Sequence, residues 1–133
     1  MPRFLDPSTA PEALGRYSQT ILLGAAYKRA IIAGQFGLQP DGSLCEGLEA
    51  QMEQAFDNFL IMVAAADLAI VDVVKIAAYV TVPGSIGLFR LVWDRKLGKA
   101  RPTLVYVEVA GLINPNYLVQ IEGEAWRERP LTE

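Results

Sequence analysis

The chain has no histidine, and Cys45 is the single cysteine among its 133 residues. Without histidine there is no imidazole to shuttle protons near neutral pH, no Ser-His or Cys-His nucleophile pair, and none of the common zinc sites. With one cysteine there is no intrachain disulfide and no thiolate metal cluster. Cys45 has no neighbouring base in sequence and reads as a small loop residue. Long apolar runs are missing too: the stretches around Phe59–Ala66 and Leu104–Val109 fall short of the roughly 18 uninterrupted residues of a spanning helix. The start "MPRFLDPSTAPEALG" lacks the apolar stretch of a signal peptide, so the expected location is the cytoplasm and no membrane partner is expected. Basic residues are few and scattered. Twelve Lys and Arg against fifteen Asp and Glu give a net charge of −3 and a pI near 5.0, which argues against a phosphate-binding surface and a nucleic-acid partner. The chemistry left to the chain must use Tyr, Arg, Lys, carboxylates, backbone amides or bound water, and no metal or cofactor is expected.

Apolar residues, in contrast, are abundant. They make up 52% of the chain against 20% charged residues. A chain of this length holds one domain, spanning 1–133, and that share is more apolar surface than such a monomer readily buries. An oligomer is predicted.

Along the chain, "YSQTILLGAAYKRAIIAGQFGL" contains two β-type runs, about 17–23 and 27–33, broken near Gly24, and reads as a hairpin. "PDGSL" at 40–44 carries turn chemistry and leads into a helix. From Glu46 to about Ala66, Leu48, Met52, Ala55, Phe56, Phe59 and Val63 recur at helical spacing, with Glu49, Glu53, Gln54, Asp57 and Asn58 opposite. "VVKIAAYVTV" (73–82) is β-rich and ends at Pro83-Gly84; "SIGLFRLVWDRKLG" then spreads Phe89, Val92, Trp93 and Leu97 over one helical face up to Gly98. Two further β segments, about 103–110 and 117–126, are joined by "GLINPN". The order β-β-α-β-α-β-β predicts an α+β domain with both helices on one sheet face.

Strand parity assigns faces. In 103–110, Thr103, Val105, Val107 and Val109 share one side and Leu104, Tyr106, Glu108 and Ala110 the other; in 118–126, Val119, Ile121, Gly123 and Ala125 oppose Gln120, Glu122 and Glu124. The valine-rich sides are expected beneath the helices. Leu104 and Tyr106 then need another cover, and a second subunit supplies it, with a cleft between subunits as the natural site.

Four segments in this order, "APEALGRYSQT", "AGQFGLQPDGSL", "QMEQAFDNF" and "DVVKIAAYV", resemble the RidA/YjgF family of enamine/imine deaminases, also called L-PSP endoribonucleases. The resemblance runs over nearly the whole chain. It implies a chorismate-mutase-like α+β fold and a homotrimer with small-molecule clefts between subunits. It also implies cofactor-free hydrolysis of 2-imino acids to 2-oxo acids, in which an arginine of a Pro-Ala-Arg motif grips the substrate carboxylate as a bidentate pair. Two registers are open here. Keyed on "KAR", that arginine is Arg101; keyed on "VEVAGL", which resembles the family's Val-Glu-Val-Ala-x-Leu, its place is taken by Leu104. Arg101 shares parity with Thr103 and Val105, which on the face assignment above would aim a guanidinium beneath the helices, so the Leu104 register is preferred.

In "VQIEGEA", which resembles Val-Glu-Ile-Glu-x-x-Ala, the first glutamate has become Gln120 and the second is kept as Glu122. A glutamine holds water but cannot take its proton. The candidate ligand-binding residues are therefore Tyr17, Gly34, Phe89, Arg101, Leu104, Tyr106, Gln120 and Glu122, with Glu122 the candidate catalytic group. Arg16 stands where the family has proline and is a further candidate cation. Beside each stands a plainer role: Tyr17 as a ring closing a strand pair, Arg101 as a solvated rim charge, and Glu108 and Glu122 as solvated or paired carboxylates. Three functions follow: a RidA-like protein with altered or lost imine hydrolysis, an active deaminase that clamps with Arg101, and a non-catalytic ligand-binding or chaperone-like trimer.

Overall fold

Helix α1 (Leu48–Ala65) takes its orientation from its apolar spacing: Met52, Ala55, Phe56, Phe59, Met62 and Val63 are all buried, at steps of three and four residues. Its two buried amides are structural ties. Asn58 donates to the carbonyls of Phe36 and Leu38 at 3.0 and 2.8 Å, and Gln51 accepts from the N–H of Leu118 at 2.9 Å. Each joins the helix to the chain leaving or entering a strand, and each satisfies backbone groups that would otherwise be buried unpaired.

The computed structural model describes residues 3–14, 16–23 and 27–128. Its strands are β1 (Arg3–Leu5), β2 (Thr20–Leu23), β3 (Tyr27–Gln35), β4 (Val73–Val80), β5 (Thr103–Glu108) and β6 (Val119–Glu128), with helix α2 (Ile86–Leu97) between β4 and β5. They form one sheet in the order β1-β2-β3-β6-β4-β5. All pairs are antiparallel except β4 with β5, and the parallel pair needs the crossover that α2 supplies. The α+β architecture, the β2–β3 pair and both helices are as the sequence predicts. The expected break at Gly24 lies outside the described residues. Strand β1 was not predicted. Nor do the last two β segments pair with each other, because β6 runs up the middle of the sheet between β3 and β4.

On the helix side, Ala30, Ile32, Ile76, Ala78, Val80, Val119, Ile121 and Ala125 meet α1 and α2 in one core. At the centre of the sheet, a Cβ on Gly123 would lie 2.0 Å from the carbonyl oxygen of Lys75, so only glycine lets β6 approach β4 this closely. Salt bridges Arg95–Glu53 (2.9 Å) and Lys96–Asp57 (2.8 Å) link the exposed sides of the two helices. No helix among the described residues is long and apolar enough to cross a membrane.

The face assignment holds for β6 and is reversed for β5. Val119, Ile121, Gly123 and Ala125 do lie beneath the helices. In β5, however, Val105 and Val107 are exposed on the open sheet face, while Tyr106 turns inward against Phe89 of α2. Register explains this. Strand β5 pairs Leu104 with Ile76 and Tyr106 with Ala78, and in a parallel pair those partners share a side, so Leu104 and Tyr106 inherit the core side of β4. Parity therefore does not drive Arg101 beneath the helices, contrary to the expectation from sequence: Arg101 is exposed just ahead of β5, with the parity of the open face.

Candidate functional site

Two groups of candidate residues sit on opposite faces of the sheet. The first is on the open face. A register shift between Ile32 and Gln35 interrupts the ladder of β3 with β6, and Gly34 lies within it. A Cβ there would be 2.5 Å from Nε2 of Gln120, so the Gln120 side chain lies directly over the glycine backbone. The N–H of Ala33 donates to the carbonyl of Gln19 at 2.8 Å, which holds the segment carrying Tyr17 alongside. The Tyr17 ring is exposed, and its oxygen accepts from the N–H of Leu14 at 3.3 Å.

Gln120 is paired in register with Tyr79 of β4, and Glu122 with Ala77. The charge of Glu122 pushes the Tyr79 phenol pKa up, with burial and a hydrogen bond to the same carboxylate adding to it. Tyr79 therefore stays protonated and donates to Glu122. An amide that can orient water, a carboxylate and a neutral phenol thus stand side by side.

The second group is on the helix side of β5. Leu104, Phe89, Arg90, Trp93 and Asp94 line a cavity of about 300 Å³ between the edge strand and α2. Phe89 is fully buried at its floor, and Leu104 is 39% exposed at its wall. Tyr106 packs edge-on against Phe89 with centroids 5.1 Å apart. Burial raises the Tyr106 phenol pKa, and the charge of Glu108 raises it further. Glu108 is exposed and does not line this cavity; its Oε2 accepts the N–H of Gly84 at 2.7 Å and secures the turn that enters α2. Arg101 does not line the cavity.

One copy of the chain thus brings Gly34, Gln120 and Glu122 together on one face, and Phe89, Leu104 and Tyr106 on the other, without joining the two groups. Sequence reasoning missed Tyr79, Arg90, Trp93 and Asp94 as neighbours of these residues. Tyr79 was legible by parity, since it falls on the side of β4 away from Ile76 and Ala78; the α2 residues depended on the true face of β5. No three Asp, Glu or Cys side chains among the described residues gather as metal ligands.

With this geometry in place, the comparison with known proteins is decisive: the family model described as endoribonuclease L-PSP matches residues 7–126. The chain belongs to the RidA/YjgF family. A RutC family protein of Pyrococcus horikoshii is 29% identical over 130 residues, covering 96% of this chain and 100% of that protein. The 2-iminobutanoate/2-iminopropanoate deaminase of Salmonella typhimurium is 33% identical over 81 residues, 60% of this chain and 61% of the enzyme. Among solved structures, RidA from the Antarctic bacterium Psychrobacter superposes with a TM-score of 0.87 at 31% identity, covering 94% of this chain and 99% of that one. E. coli TdcF, solved with bound serine, gives 0.87 at 25% identity, covering 95% and 99%. The RidA/YjgF neighbours share the arrangement of two helices on a six-stranded sheet.

Proposed function

We propose that this RidA/YjgF protein is a cytoplasmic homotrimer that takes a small carbonyl or imine compound into clefts between subunits, with an altered or lost 2-imino acid deaminase activity. The observation that carries the reading is Leu104, at the wall of the cavity under α2, which the register keyed on "VEVAGL" puts in the place of the carboxylate-gripping arginine. Hydrolysis of a 2-imino acid adds water across C=N and releases ammonia, leaving the 2-oxo acid. It needs a group that holds the carboxylate and a group that takes a proton from water. Leu104 cannot do the first, and Gln120 cannot do the second. Glu122, held against Tyr79, is the carboxylate left to act on water.

The separation of the candidate residues onto two sheet faces favours a site completed between copies. The open face supports the same reading, because it leaves Val105 and Val107 uncovered in a single chain. A pI near 5.0 favours a small ligand over nucleic acid. One alternative has specific support: Arg101 is exposed, so it bears no burial penalty and can meet a substrate carboxylate in a cleft between subunits, which would make the protein an active deaminase.

The test is loss of a 2-imino acid freshly generated by an amino-acid oxidase, with semicarbazide as competing trap, for the parent protein and Leu104→Arg. Oligomeric state is followed by light scattering. The expected result is a trimer with weak or absent activity that Leu104→Arg raises. Full activity in the parent that Arg101→Ala abolishes would replace this reading with the Arg101 deaminase, and a monomer would remove the inter-subunit cleft.

A further inference from the structure

The cavity beside Leu104 carries two opposite charges that form no salt bridge among the described residues. Of the cations on α2, Arg95 and Lys96 are engaged with Glu53 and Asp57 of α1, whereas Arg90 makes no ion pair among the described residues. Asp94 likewise has no ionic partner there. The two are four residues apart on one helix, a spacing that puts their β-carbons about 6 Å apart and often lets such side chains pair. Here both instead border a cavity with Phe89 at its floor and Trp93 and Leu104 along its walls.

We infer that Arg90 and Asp94 together select a zwitterionic ligand of amino-acid size: Arg90 receives the carboxylate, Asp94 receives the ammonium or iminium group, and Leu104 and Trp93 receive a short aliphatic side chain. The inference deepens the proposed function and rests on its placing the ligand beside Leu104. A simple anion gains from Arg90 but is repelled by Asp94, and a simple cation meets the reverse; a ligand carrying both charges satisfies both walls. A volume of about 300 Å³ is at the lower end for small-molecule sites and suits a ligand with few carbon atoms. Leu104 fits this scheme, since it adds apolar contact where an arginine would upset the charge balance between the two walls.

The test uses the whole chain in heteronuclear NMR, following the Trp93 indole N–H and the Gly34 amide. The probes are L-2-aminobutyrate, 2-oxobutanoate, which has only the carboxylate, and propylamine, which has only the cation. L-2-aminobutyrate is expected to move the Trp93 signal and to bind more tightly than either half-analogue. Arg90→Gln is expected to weaken L-2-aminobutyrate and 2-oxobutanoate by about fivefold. Asp94→Asn is expected to weaken L-2-aminobutyrate but not 2-oxobutanoate. Both substitutions are at exposed helix positions, and circular dichroism checks that the fold is kept. Unchanged affinities in both variants would overturn the inference. A shift at Gly34 with none at Trp93 would also overturn it while leaving the inter-subunit cleft in place; no shift at either residue with any probe would remove the cleft as well.

Discussion

Tyr106 of β5 stands edge-on to Phe89 of α2, with ring centroids 5.1 Å apart and an interplanar angle of 61°. The hydroxyl of the same tyrosine is buried without a hydrogen-bond partner among the described residues. The ring therefore fastens the edge strand to the helix while its oxygen works against burial. Tyr106→Phe should keep the ring contact and gain up to about 1 kcal/mol, because it removes an unsatisfied group. Tyr106→Ala should lose about 2–4 kcal/mol by opening a hole beside Phe89. Urea unfolding of the two variants checks both signs, and a Phe variant clearly weaker than the parent would mean that the hydroxyl has a partner.

Gly34 and Gln120 form a second coupled pair. An added methyl at 34 would press on the Gln120 amide at 2.5 Å, the end of a flexible side chain, so Gly34→Ala should displace that side chain and cost no more than about 1 kcal/mol. Adding Gln120→Ala removes the obstacle and should recover much of the loss. A double-mutant cycle reads the coupling directly, and strictly additive effects would show that the two do not press on each other.

Asp72 and Arg127 set an acid limit on stability. Burial alone would raise the Asp72 carboxyl pKa, but hydrogen bonding from Arg127 and the Ala69 N–H, with the charge of Arg127, outweighs it and leaves the pKa below the usual carboxylate range. A folded-state pKa below the unfolded value of about 3.9 gives stability that is fully present above that value and is lost as pH falls through the lowered one. Asp72→Asn should therefore cost about 1 kcal/mol near neutral pH and progressively less toward pH ~3. Denaturation of parent and variant across that range tests it; a gap that widens in acid would reverse the sign.

The Tyr79 phenol should titrate above its ordinary range because of Glu122, so Glu122→Gln should bring its pKa down. Phenolate absorbance in an alkaline titration, with Tyr79→Phe to identify the signal, shows whether it does.

How far the sequence could be read depended on how local each signal was. The periodicity of Met52, Phe56, Phe59 and Val63 is local, and so is the alternation in "VQIEGEA"; both gave the right element and the right buried side. Strand β5 carries apolar residues on both sides, Val105 and Val107 against Leu104 and Tyr106, so alternation alone could not orient it. Its orientation comes from pairing with Ile76 and Ala78 far along the chain, and from Phe89 arriving on α2. The insertion of β6 between β3 and β4 has no local mark either. The candidate site was proposed from motifs, in Gly34, Gln120, Glu122 and Leu104. What motifs could not show is which candidates share a face, and that sharing is what brings Tyr79, Arg90 and Asp94 into the argument.

Strand β5 lies at the margin of the sheet and is hydrogen-bonded within it to β4 alone. Gly123, by contrast, sits where β6 and β4 leave no room for even a methyl group. Substitution is therefore unequally tolerated across the molecule: the centre resists replacement, while the margin accepts a new side chain at the part-exposed Leu104 without disturbing the interior ladders. A scaffold divided in this way can exchange its ligand chemistry by altering one peripheral strand and the helix above it, keeping its capacity to fold while its selectivity changes.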